Sequence, residues 1–330
     1  VGDNLQQAKA LLPRVSIELK EDAPDKLYVE AEATRGTDRA KVVIIHAHTN
    51  IVYVEKNGET ILKNEYKVDN QTESKAPELS VKRIWQFIHE IDPKEIEFVL
   101  EGAEMNNAIS DAGLREAYGL QIGRTLKENI DKGLLEDDLL NEALIRATAA
   151  SDARMDGCPK PVMTNSGSGN QGITVYMPVI VAAEKLGSSR EQLTRALAFS
   201  NLIAAHIHYY LGHLSALCGI MIAATGAASA ITYLMGGDYD KVVNAIKTMC
   251  SNLTGMMCDG AKQGCALKVY SGVSAAVQAA LLASRGIKPH NDGIVEEDIE
   301  RTIRNVGRVG TEGMEETDRT ILNIMCHKKG

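Results

Sequence analysis

The sequence predicts an α+β protein in which a small antiparallel sheet with helices is followed by an all-α domain with a buried, uncharged central helix. Three observations support this fold class: alternating, β-branched segments before residue 67, helical spacing of apolar residues after residue 80, and no Asp, Glu, Lys or Arg in residues 196–237. With 330 residues, 44% of them apolar and 24% charged, the chain is long enough for two globular domains.

Alternating residues predict the sheet over residues 15–67. Residues 15–19 and 27–33 alternate apolar and polar side chains with a period of two. Residues 41–54 are strongly β-branched and lead to Asn57-Gly58, a dipeptide typical of tight hairpins. We therefore expect antiparallel strands joined by short turns.

Helices are predicted from residue 81 onwards. The apolar residues of the first helix recur at helical spacing: Val81, Ile84, Trp85, Ile88 and Ile91. Further helices are expected over residues 94–110, 113–133, 136–150 and 173–186. The net charge is −9 over residues 1–150 and +1 over residues 151–330, which indicates a domain boundary near residue 150. With the strand and helix patterns, we expect an α+β domain over residues 1–150 and an all-α domain over residues 151–330.

An uncharged stretch of 22 residues, Leu214–Met235, forms the centre of the second half. Its length raises the alternative of a membrane span, but 12 of its residues are Ala, Gly, Ser or Thr, which gain little from lipid. We therefore expect a helix buried on all sides, with small residues that allow close backbone approach, and no membrane segment. Residues 271–284 repeat this composition. Burial between copies of the chain would also explain it, so a homo-oligomer stays an open alternative.

The composition also limits the partners and the compartment. The 36 Lys and Arg against 44 Asp and Glu give a formal net charge of −8, which argues against a nucleic-acid partner. Six cysteines are too few for a secreted disulfide scaffold, and no signal-peptide pattern opens the sequence. We therefore expect a cytoplasmic protein with reduced thiols. Because the first residue is Val1, we also expect the chain to be part of something longer.

A glycine-rich polar segment, Thr164–Gly172, precedes the apolar residues 173–186. Its glycines let backbone N–H groups turn inward, and its Ser and Asn side chains add neutral donors. Both features suit a carboxylate or phosphate at a helix N-terminus. The spacing is that of neither a Walker A motif nor a dinucleotide fingerprint. A flexible linker is the alternative, although a linker seldom keeps Asn and Gln interleaved with Gly before a buried helix.

Three of the cysteines suggest metal chemistry. Cys258 and Cys265 bracket a segment with two glycines. On one continuous helix they would lie about 10.5 Å apart along the axis, whereas a loop can bring both thiols to one point. With Cys218 on the buried helix, such a loop suits iron–sulfur ligation, and three thiolates would leave one iron open as a Lewis acid. The alternative is that these are small buried hydrophobic side chains; no Cys-x₂-Cys pair indicates zinc.

Two histidines, His46 and His48, lie two residues apart in the β-branched run. On a strand they would share a face, which suits a metal pair or an acid–base residue. A polar strand end is an equally consistent interpretation.

Taken together, several segments resemble the bacterial and archaeal L-cysteine desulfidases, a family related to the α chain of iron–sulfur L-serine dehydratases. The segments that carry this resemblance are His48–Val52, Ser151–Met155, Asn165–Gly172, Met256–Lys262 and Thr317–Arg319. The resemblance covers essentially the whole chain, from the β-rich start to the C-terminal helix.

The resemblance implies a set of site residues. The three cluster-ligating cysteines of the family match Cys218, Cys258 and Cys265, which implies a [4Fe–4S] cluster with one open iron. The segment that holds the amino-acid substrate matches Asn165, Ser166, Gly167, Ser168, Gly169 and Asn170. With the anion-loop interpretation this segment would clamp the substrate carboxylate, with Arg154 as its charge partner. We take His48 as the candidate catalytic residue.

The reaction implied by the resemblance is an α,β-elimination in which L-cysteine and water give pyruvate, ammonia and sulfide. A base removes the α-proton, the open iron accepts the β-sulfur, and aminoacrylate hydrolyses, without pyridoxal phosphate. L-serine dehydration is the alternative, because an open iron accepts a hydroxyl as well as a thiol. A non-catalytic amino-acid or iron–sulfur sensing module is an alternative of another class. It is favoured by the lack of the Gly-Cys-Thr-Glu-Pro motif, whose cysteine is a candidate base in an N-terminal segment of the family.

Overall fold

A computed structural model describes residues 7–8, 10–20, 22–25, 27–47, 49–64, 79–212 and 214–328. The chain divides into two compact units, one of residues 12–78 with 322–330 and one of residues 1–11 with 79–321. This division differs from the one suggested by the charge distribution, because residue 150 lies inside a continuous helix, Leu139–Met155. The helices on both sides of that residue pack together in one unit.

The first unit contains a four-stranded antiparallel meander in the order β1-β2-β3-β4. Its strands are β1 (Tyr28–Arg35), β2 (Asp38–Ile45), β3 (Ile51–Lys56) and β4 (Glu59–Lys63). The small hydrophobic core of this unit is formed by Val43, Ile45 and Val52. The predicted small antiparallel sheet is therefore confirmed, and so is the tight turn at Asn57-Gly58, where both residues have positive φ.

Two strand predictions were wrong in detail. The β-branched run over residues 41–54 is interrupted after Ile45, because His46 has φ 69° and the side-chain amide of Asn50 donates to the Ile45 carbonyl at 2.9 Å. Residues 15–20 alternate in sequence but lie outside any strand and are exposed. Alternation makes an amphipathic segment, and a strand also needs a neighbour with which to pair.

The second unit is helical. Its helices, the last of which runs into the other unit, are α1 (Val81–Glu90), α2 (Val99–Arg115), α3 (Ile122–Asp131), α4 (Leu139–Met155), α5 (Gly169–Lys185), α6 (Arg190–Leu211), α7 (Gly219–Leu234), α8 (Tyr239–Leu253), α9 (Cys265–Ser284), α10 (Ile299–Arg308) and α11 (Glu315–Cys326). Many begin at a Ser or Asp whose side chain accepts from a backbone N–H of the first turn, as this residue type favours. These caps are Ser80, Asp138, Ser168, Ser189, Asp238 and Asp298.

Helix α7 is the predicted buried central helix. It packs against α5, α6, α8 and α9, and every residue from Ile220 to Thr232 is buried. The close approach depends on small residues, since a β-carbon on Gly226 would collide with the Ser200 carbonyl of α6. The helix begins later than predicted: residues 214–218 are not helical, and Leu217 forms an antiparallel bridge with Met257.

Within the described residues, α9 is the one helix long and apolar enough to cross a membrane by length and composition alone. Half of its most apolar window is buried inside the protein, where it packs against α4, α7 and α8. Core helices of globular proteins have the same properties. The fold as a whole is α+β and mostly helical, as the sequence predicts.

Candidate active site

The predicted glycine-rich segment forms a tight turn that leads directly into α5. Asn165 and Ser168 exchange two backbone hydrogen bonds, with N···O distances of 2.9 and 3.1 Å. Between them Ser166 and Gly167 have φ of 48° and 80°, a conformation that costs a glycine little. Ser168 then caps the helix by accepting from the Gln171 N–H at 3.4 Å. The N–H groups of Gln171 and Gly172 are thus bonded to Ser168, whereas those of Gly169 and Asn170 have no hydrogen-bond acceptor within the described residues.

Arg154, at the C-terminal end of α4, lies against this helix N-terminus. A β-carbon on Gly169 would collide with the Arg154 guanidinium, so the glycine makes room for it. The side chain is half-buried, and burial lowers the pKa of Arg154 from its ordinary value. Within the described residues no carboxylate pairs with this guanidinium, and its recorded hydrogen bond goes to the Met155 sulfur at 3.1 Å. A half-buried cation without a carboxylate partner favours an anionic ligand.

The two asparagines of the predicted loop hold it in place. Asn165 donates to the side-chain oxygen of Asn201 in α6 at 3.0 Å. Asn170 accepts from the Ser151 hydroxyl at 3.3 Å and donates to the Met155 sulfur at 3.3 Å. Both amides thus bond the helices that flank the loop, and their structural task is to fix its position.

Two of the three predicted metal-ligating thiols are brought together. Backbone hydrogen bonds from Cys218 to Met256 and from Cys258 to Ala216, 2.8 and 2.5 Å long, join the start of α7 to the segment after α8. The Cys218 and Cys258 thiols lie close enough to interact. This interaction lowers the pKa of Cys258 to about 6, and together with burial it raises the pKa of Cys218.

A lysine that the sequence analysis missed supports this pair. Lys268, one turn into α9, donates to the Met257 carbonyl at 2.8 Å and to the Asp259 carboxylate at 2.6 Å. Its charge favours the thiolate of Cys258. Asp259 also pairs with Lys262, and the two lysines lower its pKa to about 2. The spacing of Lys268 three residues after Cys265 was the available signal, since residues three apart share a helix face.

The third predicted ligand, Cys265, is the first residue of α9. Its thiol donates to the Gly260 carbonyl at 3.6 Å, and it lies close enough to Arg154 to interact with its charge. The other cysteines lie elsewhere. Cys250 is buried in α8, where burial raises its pKa to about 12, and Cys326 is exposed. Cys158 lies close enough to Tyr118 to raise the pKa of its hydroxyl.

Three helix N-termini meet at this place. The Gln171 side chain of α5 lies against Gly219, the first residue of α7, where a β-carbon would be 2.5 Å from its Cδ. The side-chain amide of Gln263, two residues before α9, donates to Asp156, two residues after Arg154, at 3.1 Å, which brings the start of α9 to the end of α4 that borders α5. Each N-terminus carries a partial positive charge, so the site attracts anions and stabilises thiolates.

The two predicted histidines, His46 and His48, belong to the sheet unit. His48 lies outside the described residues, so its catalytic role stays a prediction. His46 belongs to the sheet unit and its Nδ1 is 3.3 Å from Asp25. His206 is buried in the helical unit and bonds Glu300 at 2.8 Å, which places it in a structural contact between α6 and α10.

Comparison with known proteins gives the family. The serine dehydratase alpha chain family matches residues 26–323. A protein of Parabacteroides distasonis named UPF0597 protein is 44% identical over 99% of this chain and 77% of its own length. Proteins of the same name from Oleidesulfovibrio alaskensis and Clostridium perfringens are 47% and 43% identical, over 96% and 99% of this chain and 74% and 77% of their own lengths. The chain belongs to the serine dehydratase alpha chain family.

Members of the serine dehydratase alpha family are generally associated with iron–sulfur clusters, which are held by cysteine thiolates. Cys218 and Cys258 fit, because their thiols are adjacent and electropositive groups surround them. Cys265 follows on the same short loop, but its thiol bonds a carbonyl. Within the described residues no three His, Cys, Asp or Glu side chains lie close enough together to hold a metal ion. Two of the three predicted ligands therefore lie together, whereas Cys265 would join them only after a change in the 259–264 loop.

Proposed function

We propose that this chain carries the substrate and cluster site of an iron–sulfur-dependent amino-acid lyase, with L-cysteine as the substrate. The observation that carries the proposal is the meeting of a thiol pair and an unpaired guanidinium at the same three helix N-termini. Elimination would give pyruvate, ammonia and sulfide. A plain core of buried cysteines would not need a cation without a counter-ion beside it.

The substrate carboxylate is proposed to bind Arg154 and the free N–H groups at the start of α5. Arg154 presents a planar donor fork that matches a carboxylate, and its partial burial strengthens the interaction. The turn at Ser166 and Gly167 fixes the N–H groups before the ligand arrives. Asn165 and Asn170 contribute by holding that turn against α4 and α6.

Cys218, Cys258 and Cys265 are the residues proposed to hold a [4Fe–4S] cluster. Three thiolate ligands leave one iron free, which supplies a Lewis acid for the β-leaving group. Lys268 favours the thiolate form of Cys258. For Cys265 to join them, its thiol must leave the Gly260 carbonyl, and Gly260 and Gly264 give the connecting loop the freedom to rearrange.

L-serine is the second candidate substrate, and the name of the family favours it. A β-hydroxyl and a β-thiol occupy the same position relative to the carboxylate. The contacts described for Arg154 and the loop therefore serve both substrates equally.

The test is iron and acid-labile sulfide analysis of the protein after anaerobic purification and reconstitution, followed by pyruvate assays with L-cysteine and L-serine. We expect about four irons and four sulfides per chain, together with a broad absorption in the visible region. Pyruvate and sulfide from L-cysteine would support the proposed reaction, and pyruvate from L-serine alone would support the second candidate. A stoichiometric cluster without pyruvate from either would favour a sensing module. A protein that takes up no iron would contradict the proposal.

A further inference from the structure

One buried acceptor at the site has no partner. Gln171, in the first turn of α5, is 6% exposed, and its side-chain Oε1 accepts no hydrogen bond within the described residues. An unsatisfied buried amide oxygen is unfavourable, so a native protein rarely keeps one without a partner. The sequence analysis included Gln171 in the polar segment but did not select it as a site residue.

The position of the Gln171 amide indicates which ligand group it could bind. It lies against Gly219, the residue that follows Cys218, at the start of α7. Two residues before it, Gly169 borders the Arg154 guanidinium. Gln171 therefore lies on the short stretch of α5 that connects the proposed carboxylate site with the thiol pair.

An amino acid bound here brings a positive charge into an electropositive site. Its carboxylate suits Arg154 and the helix N-termini, but its α-ammonium group is repelled by the same groups. The ammonium must therefore find a hydrogen-bond acceptor close to the carboxylate site.

The carboxylates around the site are already used. Asp152 accepts from the backbone N–H of Leu120, just before α3, at 3.1 Å, and from that of Ile122, the first residue of α3, at 2.7 Å. Asp156 accepts from the amide of Gln263 at 3.1 Å, and Asp259 is paired with two lysines. Gln171 Oε1 is the buried acceptor left at this place among the described residues.

We infer that Gln171 Oε1 accepts a hydrogen bond from the α-ammonium group of the substrate and thereby selects amino acids over other carboxylates. This inference rests on the proposed function. A neutral acceptor suits the task, because a carboxylate at this position would compete with the substrate for Arg154. Gln171 is thus a binding and specificity-determining residue, with no part in breaking the bonds of the substrate.

The experiment measures, by calorimetry with the full anaerobic chain, the affinities for L-serine and for 3-hydroxypropionate, which lacks the amino group. Wild-type protein is expected to bind L-serine more tightly. In Gln171→Met, which keeps the length of the side chain, the affinity for L-serine should fall about tenfold, as for one lost hydrogen bond, while that for 3-hydroxypropionate is unchanged. Gln278→Met, at an exposed position of α9, is the control and should bind both as wild type does.

Several outcomes would overturn the inference. Equal losses for both ligands in Gln171→Met would show a packing role, and unchanged affinity for L-serine would show that the amide is not used. Should Gln171→Met fail to fold, Gln171→Leu and the wild-type comparison carry the test: wild type that binds both compounds equally contradicts the inference with no variant. Wild type that binds neither L-serine nor L-cysteine contradicts the proposed function itself, so the two failures are distinguishable.

Discussion

The thiol of Cys258 has the surroundings that a cluster ligand needs. The Cys218 thiol, the Gly260 N–H and Lys268 all favour its thiolate form. We expect Cys258→Ser to lose most of its iron after anaerobic reconstitution while its helical circular dichroism stays unchanged, because a hydroxyl is a poor ligand for iron–sulfur clusters. Cys326→Ser is the matched control, since this thiol is exposed in α11. Full iron content in Cys258→Ser would remove this residue from the ligand set.

Gly169 and Gly172, three residues apart, should respond differently to substitution by alanine. A β-carbon on Gly169 meets the end of the flexible Arg154 side chain, whereas one on Gly172 meets the backbone carbonyl of Met163. Gly169→Ala should therefore fold normally but displace the guanidinium and weaken L-serine binding about tenfold, the loss of one charged contact. Gly172→Ala should instead lower the free energy of unfolding by about 1–3 kcal/mol, because backbone cannot move aside cheaply.

Urea unfolding and calorimetry on both glycine variants provide the check. Similar loss of stability in the two variants would mean that Arg154 cannot move away from α5. Full L-serine affinity in a stable Gly169→Ala would mean that the guanidinium is not part of the carboxylate site.

At the scale of elements, the start of α3 is held by a side chain from α4. The Asp152 carboxylate accepts from the backbone N–H groups of Leu120 and Ile122. Burial nevertheless raises its pKa above 3.8, so the native state keeps a proton longer than the unfolded chain does. The stability that this group contributes is therefore fully present below that value and is lost as the pH rises through the native pKa.

We expect Asp152→Asn to be less stable than wild type by about 1–3 kcal/mol near pH 4, because its amide nitrogen faces one of the N–H donors. The difference should narrow towards about pH 7, since the neutral amide does not carry the cost of a buried charge. Urea midpoints across this range measure the effect, and Asp111→Asn, an exposed carboxyl in α2, is the control. A difference that widens with pH would have the wrong sign.

The same contact explains why one helix prediction failed. Apolar spacing over residues 113–133 predicts a single helix, but the chain leaves α2 at Arg115 and starts α3 only at Ile122. In the turn between the two helices, Gly119 and Gln121 have positive φ. Asp152 fixes this turn by its hydrogen bond with Ile122, which is 30 residues away in sequence. Local patterns contain helix propensity and burial, whereas a turn fixed by a distant carboxylate is a tertiary effect that they do not record.

The site shows the same limit. The glycine-rich turn before α5 and the buried helix α7 follow from composition and spacing, and both are found. The meeting of three helix N-termini does not follow, because it depends on how α5, α7 and α9 pack. Gln171 and Lys268 acquire their roles only through that packing. Sequence patterns therefore predict the individual helices and turns of this site better than which of them lie next to each other.

At the scale of the whole molecule, the two units have cores of very different size. The sheet unit has Val43, Ile45 and Val52 as its buried hydrophobic cluster, whereas the helical unit has a continuous core that includes nearly all of α7. Stability grows with the apolar area removed from water. The sheet unit buries far less apolar area to offset the entropy that is lost when its chain becomes ordered. Its backbone hydrogen bonds should open more often than those of the central helix.

Hydrogen exchange followed by mass spectrometry tests this difference. Amides of β2 and β3 should exchange well before those of α7, and Val43→Ala should accelerate only the sheet, because the cavity it leaves costs roughly 1–3 kcal/mol within the core of that unit. Val29→Ala is the matched control, since Val29 is 47% exposed in β1 and its truncation leaves no cavity. If Val43→Ala accelerated exchange in α7 to the same extent, the two units would unfold as one cooperative structure, and the division of the chain into two folding units would be wrong.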